Sequence, residues 1–215
     1  LEGFMGFADK LGIPKDPDPQ WDMPLDKTDW EWAKKQTAAL GKYAVISPAA
    51  SKAERNWTVQ GYVAVAQNLV EKGYKVVLCG GPGPVDFEIS VKILQTPNII
   101  ALNLVGQTSL KQMLAVLADA ALVLAPDTGP AHMATTMGTP VVGLYAHSNF
   151  RRTGPYLSQG LVASVYDVQI KSQKGKNWAH LPWGIRAKGK DLMTYLLVLT
   201  VLKKVDQALS ELDTE

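Results

Sequence analysis

From Tyr43 onward the chain repeats one pattern, a short apolar run rich in β-branched residues followed by a turn and a segment of helical period. The runs are "YAVIS" (Tyr43 to Ser47), "KVVLC" (Lys75 to Cys79), "IIALN" (Ile99 to Asn103), "ALVLA" (Ala121 to Ala125), "VVGLY" (Val141 to Tyr145) and "LVASV" (Leu161 to Val165). Antiparallel neighbours can be joined by tight turns, whereas strands separated by helix-length crossovers return in the same direction. The predicted fold is therefore α/β, an open, mostly parallel Rossmann-like sheet flanked by helices.

The helical segments carry their own boundaries. Between Thr58 and Lys72, Val59, Tyr62, Val63, Ala66, Leu69 and Val70 share one stripe, with Thr58 placed to cap the start and Gly73 to end it. The same reasoning predicts helices over Val85 to Leu94, over Ser109 to Leu117 with Ser109 capping, and over Pro130 to Met137, ended by Gly138. "LMTYLLVLTVL", Leu192 to Leu202, reads as a core helix, since about 18 to 20 apolar residues are needed to span a bilayer. Ahead of the sheet, "IPKDPDPQWDMPLD" (Ile13 to Asp26) holds four prolines and reads as a linker. Residues 1–40 thus comprise a leading segment, the Pro-rich linker and a lead-in helix, and 41–215 form the main domain. Asp16 and Asp18 make a D-x-D spacing that holds a metal in some sugar-transferring enzymes, but a Pro-rich linker does not fix two carboxylates on one ion. No metal site is expected.

A formal charge of +2 is too mild for a nucleic-acid binder, which carries a dense basic face, while small anions stay within reach. The single cysteine, Cys79, excludes an internal disulfide and fits a reducing compartment, so the cytoplasm is the expected location. The opening "LEGFMGFADKLGI" has no basic region or cleavage site of a signal peptide, and the chain reads as a piece of something longer.

Ligands of open parallel sheets collect at the carboxyl ends of the strands, and three loops belong to that edge. In "APDTGPAH" the N–H groups of Thr128, Gly129 and Ala131 and the positive end of a helix dipole suit a diphosphate, with the Thr128 hydroxyl as a further hydrogen-bond donor and His132 on the same turn. Gly129 is expected to admit nothing larger, either because a Cβ would meet the ligand or because the turn needs glycine. Plain helix capping is the alternative for Asp127 and Thr128, and packing the alternative for His132. In "SPAASKAERNW", Lys52 and Arg55 would face the same phosphates, unless the loop is merely a solvated basic one. Trp57 reads as a packing residue. In "CGGPGPVDFE", Asp86 or Glu88 could accept from ribose hydroxyls or be an ordinary surface carboxylate, and Cys79, among apolar neighbours, reads as inert.

Taken together, "ISPAASKAERNW", "VLCGGPGPVDFE", "NLVGQTSLKQMLAVLADAALVLAPDTGPAHMATTMGTPVVGLY" and "DLMTYLLVLTVLKKV" resemble the C-terminal, nucleotide-sugar-binding half of glycosyltransferase family 9, the heptosyltransferases of the lipopolysaccharide core. The resemblance runs from about Tyr43 to Val205, and D-T-G-P-x-H is its most distinctive piece. It implies one half of a GT-B fold, with Thr128 and Gly129 on the diphosphate of an ADP-sugar, His132 nearby, and Asp127 shaping the loop and reaching the sugar. Arg55 stands where the family often has lysine, which keeps the charge and changes the geometry. Asp86 or Glu88 would take the ribose, Lys52 would assist, and His147, Ser148, Asn149 and Arg151 would lie near the sugar or acceptor.

What the resemblance implies for function is transfer of heptose or a related sugar from an ADP-sugar to a lipopolysaccharide-core acceptor, inverting, metal-independent and without a cofactor. The general base would sit in an N-terminal acceptor-binding domain that the match does not include, so this chain alone should bind the nucleotide-sugar and scarcely transfer it. The expected place is the cytoplasm, with at most peripheral association at the inner face of the bacterial inner membrane. The rival readings are a UDP-sugar epimerase-like enzyme, for which no Glu/His pair stands out, and a non-catalytic nucleotide-binding or partner-binding module on the same fold.

Overall fold

A computed structural model describes residues 2–14, 20–97 and 99–212. Six strands form one sheet: β1 (Tyr43–Ile46), β2 (Lys75–Leu78), β3 (Ala101–Asn103), β4 (Val123–Pro126), β5 (Val141–Tyr145) and β6 (Ala163–Ser164). Every pairing is parallel and the order is β3-β2-β1-β4-β5-β6. The order reverses between β1 and β4, where Val45 is in register with Val123 and Ile46 with Leu124. Crossovers leaving these two strands depart to opposite sides, which opens a crevice beyond their carboxyl ends.

Alternation along the strands separates two cores. Ala44 and Ile46 face α3 (Val59–Glu71) and α9 (Val198–Leu212), against Tyr62, Leu69, Val201 and Val205, all fully buried. Tyr43 and Val45 face the opposite layer of α2 (Lys27–Thr37), α5 (Leu110–Ala118) and α6 (Gly129–Thr136), with Ala33, Met113 and Ala131. The chain also contains α1 (Glu2–Lys10), α4 (Pro84–Leu94), α7 (Phe150–Thr153) and α8 (Tyr166–Lys174).

The predicted caps form. The Thr58 hydroxyl accepts from the Gly61 N–H, and Ser109 and Gln112 complete a reciprocal capping box at α5. Gly73 and Gly138, with φ of +85° and +77°, stop α3 and α6 in a conformation that β-carbons disfavour.

Two expectations are corrected. The run from Leu192 to Leu202 is not one helix: a 3₁₀ turn spans Leu192–Tyr195, Leu196 is extended, and α9 begins only at Val198. The Leu196 carbonyl accepts from the Trp57 indole N–H at 3.0 Å instead of a helical N–H, which places the break. The last strand is shorter than Leu161 to Val165, because Tyr156–Leu161 is wound into 3₁₀ turns whose Ser158 hydroxyl accepts from the Val141 N–H. Asp16 and Asp18 lie outside the described residues.

Candidate functional site

The crevice between β1 and β4 is built by three loops. After β1, Pro48 to Arg55 is held in place by Tyr62, whose hydroxyl donates to the Pro48 carbonyl at 2.9 Å, and by the Asn56 side chain, which accepts from the Ala50 N–H at 2.7 Å. Trp57 closes the loop, 4% exposed and edge-on to Tyr62, so it is the packing residue its position suggested. Arg55 is thereby delivered over the end of β4, with Nη1 3.4 Å from Asp127 Oδ2 and from the Asp127 carbonyl oxygen. Both side chains are largely buried, at 16% and 12% exposure. The third loop, after β5, adds Ser148, whose hydroxyl donates to Asp127 Oδ2 at 2.7 Å.

Asp127 is thus occupied by Arg55 and Ser148 and caps nothing. Thr128 is the N-cap residue of α6, yet its hydroxyl makes no capping bond. Plain capping fails for both residues, and the first turn of α6 keeps its N–H groups directed outward at a positive helix end. A Cβ on Gly129 would meet nothing within 4 Å, and its φ lies outside the left-handed region. The turn does not need a left-handed residue there, but Gly129 is helical and precedes Pro130, where a β-carbon is disfavoured, so both halves of that expectation stand. On the crevice floor Ser47, 1% exposed, buries a hydroxyl with no partner, and Thr108, just ahead of the Ser109 cap of α5, does the same. Neither hydroxyl was singled out from the sequence, where isolated Ser and Thr carry no signal.

The other residues named from sequence divide. Lys52 is exposed beside Arg55. Asp86 folds back over the glycine loop, its Oδ1 accepting from the Gly81 N–H at 2.9 Å; a Cβ on Gly80 would lie 2.6 Å from that oxygen, which accounts for the small residues. Glu88, exposed a half-turn further on, pairs with Lys92, and that hydrogen bond and charge hold its carboxyl below the usual range. Of the two, Asp86 is the one at the loop. Cys79 is fully buried, and desolvation pushes its thiol up to about 12, as an inert cysteine should be.

His132 is exposed and does not join the Arg55–Asp127 cluster; it lines a separate cavity of about 620 Å³ with Thr136, Arg152, Tyr156 and Trp178. Arg151 lines the same cavity, forking onto Asp167 at 2.9 and 2.8 Å with its guanidinium against the rings of Phe150 and Trp178. Asn149 caps α7. His147 is buried beneath a strap, Arg186 to Lys190, which is pinned where the Ala187 N–H donates to the His147 carbonyl at 2.9 Å. The strap was missed, although "RAKGK" is a dense basic run.

Comparison with known proteins bears on the family and the fold. The family model described as glycosyltransferase family 9 (heptosyltransferase) matches residues 2–183. The lipopolysaccharide core heptosyltransferase OpsX of Haemophilus influenzae is 41% identical over 202 residues, covering 94% of this chain and 58% of that protein. Among solved structures, a family 9 glycosyl transferase from Veillonella parvula superposes with a TM-score of 0.75 at 20% identity, over 97% of this chain and 59% of that one. Escherichia coli ADP-heptose lps heptosyltransferase II superposes at 0.69 and 21% identity, over 94% and 57%. The chain spans somewhat under three-fifths of the length of these proteins. The structural matches show a shared fold; the sequence match shows kinship, and the chain belongs to glycosyltransferase family 9.

Proposed function

We propose that this chain is the nucleotide-sugar-binding half of a heptosyltransferase that moves heptose from an ADP-sugar to a lipopolysaccharide-core acceptor. The name of the 41%-identical relative supports the sugar and the acceptor. The observation that carries the binding role is the guanidinium of Arg55 fixed beside an uncapped helix start at the switch point. Asp127 holds one edge of Arg55, leaving further N–H groups for phosphate oxygens. The α6 N–H groups and the Thr128 hydroxyl face the same ligand, and Asp86 stands at the glycine loop for the ribose.

In such a transfer the sugar–phosphate bond breaks and charge accumulates on the departing diphosphate. As an acceptor hydroxyl bonds to the anomeric carbon and gives up its proton, donors already in place bind the more highly charged departing diphosphate more strongly than the less charged ground state, which lowers the barrier. Arg55 and the helix end would supply this stabilisation, and no part of it is assigned to a metal. Inversion and a general base contributed by an acceptor-binding half complete the proposal. Family kinship disfavours the epimerase reading. No helix among the described residues is long and apolar enough to cross a membrane, and the proposed place is the cytoplasm, at most peripheral to the inner membrane.

The test is transfer. This chain, joined behind the acceptor-binding half of the 41%-identical relative, should release ADP from ADP-heptose in the presence of lipopolysaccharide-core acceptor. A folded chimera that binds ADP and never transfers would instead favour a non-catalytic nucleotide-binding module.

A further inference from the structure

The cavity of about 620 Å³ beside α6 shares none of Arg55, Asp127, Thr128 and Gly129 with the donor crevice, and the proposed function leaves it unassigned. Its volume lies in the range of small-molecule sites, about 300 to 1,000 Å³. Four aromatic rings line it in two pairs: Trp21 with Tyr156, centroids 6.3 Å apart at 74°, and Trp178 with Trp183, 6.1 Å apart at 55°. Trp183 is 46% exposed, so a ligand can reach this wall from solvent. Apolar surface held open in a concave place favours an occupant with an apolar face.

The inclination of the rings narrows the choice. A flat base is gripped between parallel rings, and neither pair offers such a slot. Inclined rings line a cup, which suits the puckered ring of a sugar, apolar on its C–H faces and rich in hydroxyls at its edges. The polar residues of the wall match those edges. Gln159 Nε2 donates to the Phe150 and Pro155 carbonyls, at 3.2 and 3.4 Å, which fixes the amide and leaves Oε1 to accept. The Thr136 hydroxyl donates to the Met133 carbonyl at 2.7 Å and keeps its own lone pairs.

Charge narrows it further. Among the described residues no carboxylate lines the cavity, whereas His132, Arg151 and Arg152 do. Arg151 is neutralised by Asp167 and lies 4.1 Å from the Trp178 ring, so it is a fixed part of the wall. Arg152 forms no ion pair among the described residues, and its Nη1 lies beside Gly184, next to Trp183, where a Cβ would stand 3.5 Å away. An uncompensated guanidinium at the edge of a ring platform offers its fork to a carboxylate or phosphate.

We propose that this cavity binds an acidic saccharide, with a sugar ring on Trp183 and its carboxylate or phosphate on Arg152. Thr135, on the cavity wall, lies six residues along α6 from Gly129, about 9 Å of helix, so the occupant sits beside the diphosphate site and not in it. The acceptor is therefore its source, and only that choice of source rests on the proposed function.

Digalacturonic acid and glucose 6-phosphate are the probes, one for each anion, with maltose as the neutral control. Each is titrated into the whole chain, with and without saturating ADP, by calorimetry and tryptophan fluorescence. At least one acid should bind saturably with or without ADP, about tenfold or more tighter than maltose. Whichever acid binds tighter identifies the anion. Arg152→Ala should weaken it about tenfold, to the level of maltose, and Trp183→Ala should weaken it as much and remove most of the fluorescence change. Both side chains are exposed, so the melting temperature should hold in both variants. Lys203→Ala, at an exposed lysine on α9 in the opposite layer, should leave binding unchanged. Binding of neither acid, maltose bound as tightly as the acid, equal weakening in Lys203→Ala, or displacement by ADP would each overturn the proposal. Failure of ADP to bind a folded chain that still takes the acid would overturn the donor reading alone.

Discussion

Arg55 and Asp127 stand 72 residues apart and meet across the reversal of the sheet, with Nη1 3.4 Å from Oδ2. One follows β1 and the other follows β4, so the contact exists only because these strands are neighbours. It fixes a guanidinium at the edge where the first turn of α6 leaves its N–H groups unspent.

Replacing Arg55 by alanine should weaken ADP binding and spare adenosine. Loss of a charge-assisted bond predicts about 1.5 to 3 kcal/mol, roughly 10- to 150-fold in affinity. Arg55→Lys keeps the charge and loses the fork, so it should fall between. Calorimetry with both ligands decides; equal losses for ADP and adenosine would remove the phosphate role.

Gly129→Val separates ligand from scaffold. Apart from its chain neighbours its Cβ meets open space and its φ is ordinary, so the cost should be confined to a β-branched residue ahead of Pro130 at the helix start, about 1 kcal/mol in unfolding free energy. ADP affinity should collapse, because the added carbons occupy the approach to the helix start. A fallen melting temperature with ADP still bound would reverse this assignment.

Trp57→Phe should do the opposite. It removes the indole N–H that satisfies the Leu196 carbonyl and keeps most of the ring against Tyr62. A cost of about 1 to 3 kcal/mol in unfolding free energy is expected, with adenosine affinity unchanged. Denaturant titration measures the first and calorimetry the second.

Cys79 makes a pH-dependent contribution. Burial raises its folded pKa to about 12 from an unfolded value of 9.0, so the neutral thiol is favoured by folding. That stability is fully present below pH 9.0 and is lost as the pH rises toward about 12. Melting temperature should therefore decline above pH 9.0, and less steeply in Cys79→Ala. At pH 8 iodoacetamide should alkylate the unfolded chain and scarcely touch the native one.

The parallel sheet, its helices and their caps were legible because each depends on local period and on one capping residue, as at Thr58 and Ser109. Side-chain partners were not. Asp127 reads as ligand-facing until β1 brings Arg55 to it, and nothing local to Arg151 shows that Asp167 and Trp178 will hold its guanidinium. The apolar run from Leu192 looks helical because nothing in it marks that Trp57, 139 positions away from Leu196, will take that residue's carbonyl. "RAKGK" was visible as charge, while its place over His147 depends on a backbone bond formed in three dimensions.

Binding of ADP to this chain in the presence of EDTA is the most direct measurement of whether the switch-point crevice is a diphosphate site. Saturable binding is predicted in a folded sample, retained with the metal chelated and lost in Gly129→Val. A folded chain that gives neither heat nor a thermal shift at millimolar ADP, or that binds only when Mg²⁺ is restored, would contradict the account.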